Sequence, residues 1–136
     1  MKALELILII VILVSFYTVL SSKNVVMKIE LENDYWKLKH EALSLARIIA
    51  DSDILYYYLR DGLTQDEIES IKVIVFSLAP PGLEIRLRII DSNYNAILDV
   101  STPNISKCMV AACGTAIYTH SLIGTFIIEV VLGREL

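Results

Sequence analysis

The first pattern along the chain is a run of apolar residues from Ala3 to Leu20, broken by one charge, Glu5. About 20 such residues in a helix cross the hydrocarbon core of a bilayer. Leu4 to Leu20 (LELILIIVILVSFYTVL) therefore reads as a membrane-spanning helix, with Lys23 and Asn24 at the membrane surface. The pattern then becomes periodic. Leu31, Tyr35, Leu38, Ala42, Leu45 and Ile49 recur at alternating steps of four and three, the stripe of a helix buried along one seam. Lys37, Lys39, Glu41, Ser44 and Arg47 fall outside it. Neither proline nor glycine stands between Leu20 and Leu31, so one helix is expected to continue to about Ala50. A capping residue at Asn33 or Asp34 would instead start a separate one.

Shorter elements follow. Asp53 is placed to cap a short helix over Tyr56, Tyr57 and Tyr58, and Gly62 to close it in a left-handed conformation. Three consecutive tyrosines cannot all face inward on a helix, so at least one is expected at the surface. Thr64-Gln65-Asp66-Glu67 is a capping box, after which Ile68, Ile71, Val75 and Leu78 continue at helical spacing. The β-branched Val73-Ile74-Val75 keeps a strand open there, and Pro80-Pro81-Gly82 ends the element. Beyond it the period is two. Leu83, Ile85, Leu87 and Ile89 alternate with Glu84, Arg86 and Arg88, a strand with one buried face. A turn cluster at Asp91–Asn95 returns the chain along Ala96–Val100. Further strands are expected at Ala116–Thr119 and Thr125–Leu132, the latter in the sheet interior because Glu129 is its only charge. The order predicts an α+β fold: a long N-terminal helix, short helices, then an antiparallel sheet of about four strands packed on the helix.

At 136 residues the chain holds one modest domain beyond the apolar helix, which also inflates its 55% hydrophobic content. A formal charge of −4 argues against nucleic acid, which takes a basic patch. The chain carries no phosphate loop, GxSxG, HExxH or CxxC pair, and neither His40 nor His120 stands near a plausible nucleophile. Neither catalysis nor a cofactor is expected. Two cysteines and two distant histidines lack zinc spacing, so no metal is expected either.

The N-terminus admits three readings. A cleaved signal peptide would have a shorter apolar run and no acid within it. A plain single-pass anchor explains the length, and Lys2 would hold its N-terminus in the cytoplasm, but Glu5 is left without a role. The third uses Glu5. Met1-Lys2-Ala3-Leu4-Glu5-Leu6 followed by the aliphatic run to Leu20 resembles the start of mature type IV pilins and pseudopilins. The isoleucine-rich run and the later Pro-Pro-Gly-then-strand layout are most similar to archaeal pilin-like proteins.

That resemblance implies an assembly helix over residues 1–23 and an extracytoplasmic head over 24–136. It also implies that Glu5 pairs with the Met1 ammonium of an adjacent chain, since two charges in a low-dielectric bundle are tolerable only as a pair. The partners it implies are related pilin-like subunits, the membrane, a prepilin peptidase and pilus assembly machinery. The alternative is a membrane-anchored extracytoplasmic binding or accessory module. In either case the head meets an oxidising exterior. Cys108 and Cys113 are then expected to form a local disulfide, with free buried thiols as the alternative, and Asn104-Ile105-Ser106 is a candidate N-glycosylation site.

Overall fold

The structure, a computed structural model, describes the backbone of residues 2–135 and, within that range, every side chain except those at 2–4, 6, 24–27 and 29. The order of elements is α1 (Lys2–Asp51), α2 (Ile54–Leu59), α3 (Gln65–Leu78), β1 (Glu84–Ile90), β2 (Ala96–Ser101), a 3-10 turn (Ile105–Lys107), β3 (Val110–His120) and β4 (Gly124–Arg134). Compactness divides the chain into Met1–Asp34 and Tyr35–Leu136. The division falls within α1, and the buried residues of the helix, Leu38, Ala42 and Ala46, all lie in the second unit.

From Lys2 on, the first unit is helical, with no break at Asn33 or Asp34. Every side chain from Ile7 to Lys23 is exposed. Among the described residues no helix is long and apolar enough to cross a membrane. The expected span also takes in Leu4 and Leu6, whose side chains lie outside the described residues.

In the second unit the four strands pair antiparallel in the order β2-β1-β4-β3. Strand β4 is interior, as the single charge within Thr125–Leu132 implied, and β3 and β2 form the two edges. Alternation sorts the side chains cleanly. Ile85, Leu87, Ile89, Leu98, Val100, Ile128, Val130 and Leu132 share one buried face. Against it lie the second half of α1 and α3, whose buried residues are Leu38, Ala42 and Ala46 on the former, Ile71 and Val75 on the latter. The seam on α1 follows steps of four, with Tyr35, Leu45 and Ile49 only half-buried beside it. A stripe of seven-residue period drifts round a straight helix, so Ala46 takes the position expected of Leu45.

Small residues fix how closely this helix approaches. Gly114 sits on β3 opposite the backbone of Ala42 and Leu43, and a Cβ there would run into that backbone. Alanines on the helix and a glycine on the strand together let main chain meet main chain. The capping box of α3 forms as expected: Thr64 Oγ1 accepts from the Glu67 amide at 3.4 Å, and Glu67 Oε2 accepts from the Thr64 amide at 2.9 Å. Helix rather than strand prevails over Val73–Val75, and Gly62 takes the left-handed conformation with φ of 80°. Asp53 stands at the N-cap of α2 without a side-chain capping bond.

Candidate functional site

The sequence points first to the N-terminal half of α1. Between Ile7 and Leu20 the apolar side chains are exposed on every side of the helix, with no preferred face. The hydroxyls in this region turn back on the helix. Ser15 donates to the Val11 carbonyl at 2.8 Å, Thr18 to Ser15 at 2.8 Å and Ser22 to Val19 at 2.9 Å. Each therefore meets its hydrogen-bonding need without water, which suits a helix surrounded by apolar groups. Glu5 is exposed among these residues; Met1, its expected partner in an adjacent chain, lies outside the described residues.

The head presents a different chemistry. On the sheet face turned away from the helices, Asp99, Arg88, Glu129 and Thr115 stand in one row across β2, β1, β4 and β3. Arg88 donates to Glu129 at 3.2 Å, while its Nε lies 3.8 Å from Asp99, an ion-pair but not a hydrogen-bond distance. Arg86 grips Asp99 with two hydrogen bonds of 2.9 and 2.6 Å. Those bonds hold the Asp99 carboxyl below its usual range. The pairs are part-exposed, so they set register and solubility more than they set stability.

Both cysteines are free, so the expected Cys108–Cys113 bridge is not formed. Cys108 ends the 3-10 turn and packs its sulfur over Gly133, in space that a Cβ at Gly133 would fill. Cys113 lies mid-strand on β3 opposite Val131, because the strand starts at Val110 and holds it extended. Burial raises both thiols, with Glu84 and Glu135 adding to the effect at Cys108 and Glu129 at Cys113. Neither is an activated nucleophile. Asn104, half-buried, precedes the 3-10 turn; its carbonyl accepts from the Lys107 amide at 2.9 Å and its side chain makes no capping bond.

The tyrosine triplet divides as its helical spacing requires. Tyr57 is 66% exposed, while Tyr56 stacks on His120 at a centroid distance of 4.3 Å. Tyr118 is buried beside them with its hydroxyl unpartnered among the described residues, and burial raises its pKa. An apolar cleft of about 170 Å³ opens between the end of α1, α2 and α3, lined by Ile48, Ile54, Leu55, Ile74 and Leu78. No group of three or more metal-ligating side chains occurs among the described residues.

No protein family, curated protein or solved structure matches the chain. The chemistry of its surfaces therefore carries the functional reading. One of those surfaces was underestimated by sequence reasoning, which placed the third strand only at Ala116–Thr119. It runs from Val110 to His120. Val110, Ala112 and Gly114 alternate with Ala111, Cys113 and Thr115, but small residues carry too little hydrophobic contrast to mark the period.

Proposed function

We propose that this protein is a structural subunit of a type IV pilus-like filament or pseudopilus. The apolar half of α1 is held in the membrane before assembly and packs among its counterparts within the filament, with the head outside. The observation that carries this reading is the helical stretch from Ile7 to Leu20, apolar and exposed on all sides, with the acid Glu5 near its start. A surface without a preferred face needs cover all round, which lipid or a bundle of like helices provides and a single docking partner does not. Glu5 gives the bundle its register by meeting the Met1 ammonium of a neighbour. An unpaired acid in such surroundings is costly, and pairing removes that cost. The hydroxyls turned back onto the helix at Ser15, Thr18 and Ser22 suit the same environment.

The test compares surface-filament yield with membrane-inserted monomer for wild type, Glu5→Ala and Glu5→Gln. Removing one partner of a buried pair typically costs ~3–5 kcal/mol. Glu5→Ala should therefore abolish filaments while monomer still accumulates, and Glu5→Gln, which keeps shape but not charge, should be intermediate. Equal filament yield from wild type and Glu5→Ala would defeat the pairing mechanism, and no filament from any sequence would leave a membrane-anchored module.

A further inference from the structure

Three connections meet at one end of the sheet. Ile90 pairs with both Ala96 and Ile127, so the β1–β2 turn at 91–95 and the β3–β4 turn at 121–123 leave the sheet at the same end. The connection from α2 to α3 at 60–64 joins them, and together they border a pocket of about 550 Å³. That volume is in the range of small-molecule sites, about 300–1,000 Å³. Its floor is apolar. Leu59, Leu63, Ile97, Ile123 and Phe126 line it, and the fold leaves each of them only half-buried. Gly62 and Gly124, with φ of 80° and 96°, have open space where a side chain would stand, so two of the walls stay low. One charged group stands in this lining, Asp91. Its Oδ1 accepts from the amides of Asn93 and Asn95, both at 2.9 Å, which fixes the carboxylate in its turn. Oδ2 has no partner among the described residues, although a carboxylate oxygen can accept more than one hydrogen bond. Arg60, next to Leu59 in the chain, is taken up by Asp61 at 3.3 Å and lies over the Tyr56 ring.

We propose that this pocket binds a small organic amine, a single ammonium group on an apolar ring or short chain. The ammonium donates to Asp91 Oδ2, and the apolar body covers the half-buried floor. An anion would meet the carboxylate with no cation in the lining to offset it. A neutral molecule of the same shape would forgo the charge-assisted hydrogen bond, which is the stronger kind. A divalent metal ion takes six or more oxygen ligands, and one carboxylate above an apolar floor does not supply them. Because the turn holds Asp91 through Oδ1, the free oxygen is set in place before the ligand arrives, and little ordering is left to be done on binding.

The pocket lies wholly in the second unit, so its ligand does not depend on whether the chain forms filaments. The experiment titrates the full chain, in micelles of an uncharged detergent, with phenethylamine, phenethyl alcohol and hydrocinnamate. These carry the same apolar body with a positive, a neutral and a negative head. Binding is read from the methyl NMR signals of Ile97 and Ile123, and Ile12, exposed in the apolar run, controls for uptake of the probes by the micelle. The amine should give saturable shifts at Ile97 and Ile123 that Ile12 does not share. The alcohol should bind about tenfold more weakly, and the carboxylate should not bind. Asp91→Asn keeps a side-chain oxygen for the Asn93 and Asn95 amides but removes the charge. It should retain the wild-type circular dichroism spectrum and bind the amine no better than the alcohol. Ser92→Trp, at an exposed turn position in the lining, should fill the pocket and abolish the shifts. No saturable shift with the amine, equal affinity for amine and alcohol, or wild-type affinity for the amine in Asp91→Asn would overturn the proposal.

Discussion

From Ile7 to Leu20 every side chain of α1 is exposed, whereas from Leu38 to Ala46 every fourth residue is sealed against the sheet. Both stretches are rich in apolar residues and both are helical, yet they solve burial in opposite ways. The second concentrates small and aliphatic residues on one ridge, with Lys37, Lys39, Ser44 and Arg47 exposed around it. It finds its cover inside the same chain. The first has no ridge, so no single contact could cover it. Periodicity, more than hydrophobicity, decides whether a helix packs within its own domain or depends on what surrounds it.

The largest expected effect comes from breaking the close approach of the second half. Gly114→Val drives a side chain into the backbone of Ala42 and Leu43, which no rotamer change can relieve. We expect a loss beyond ~4 kcal/mol, read as a head that is unfolded or protease-sensitive in native buffer. A head with wild-type protease resistance would show that α1 and the sheet can separate at little cost.

A matched pair of truncations sharpens the contrast. Ile128 is fully buried under the helices, and Ile128→Ala should cost about 2–5 kcal/mol in urea unfolding of the head. Ile12 is exposed, and Ile12→Ala should leave that unfolding midpoint where it was. Equal effects would mean that the exposed stretch of α1 is energetically part of the head.

The smallest effect lies on the outer sheet face, away from α1. Arg86 holds the Asp99 carboxyl below its usual range, so its contribution is present above the unfolded value near ~3.9 and is lost as pH falls through the lower folded value. Because both partners are part-exposed, solvent screening keeps the pair below about 1 kcal/mol. Asp99→Asn should therefore flatten only the acid end of the stability profile, below about pH 4, and change neutral stability little. A large loss at pH 7 would show that the outer face carries more of the fold than its exposure implies.

Local signals made most of the fold legible. The capping box at Thr64, the stop at Pro80-Pro81-Gly82, the alternation through Leu83–Ile89 and the interior strand marked by a single charge within Thr125–Leu132 are each written within a few residues, and each appears where expected. The helix over the apolar run from Ile7 to Leu20 was legible in the same way, because its character is uniform and needs no partner to be recognised. What depended on distant residues was not legible. The full length of β3 is set by its ladder with β4, which carries extended structure back through Ala111–Thr115 despite their weak local preference. Ala46 enters the seam because the sheet accepts a straight ridge, and Cys108 turns to Gly133 because a residue without a side chain lies beneath it. Edges are likewise a property of strand order. The sequence determined that β3 carries no Asp, Glu, Lys, Arg or proline; only the order β2-β1-β4-β3 placed that strand at an edge.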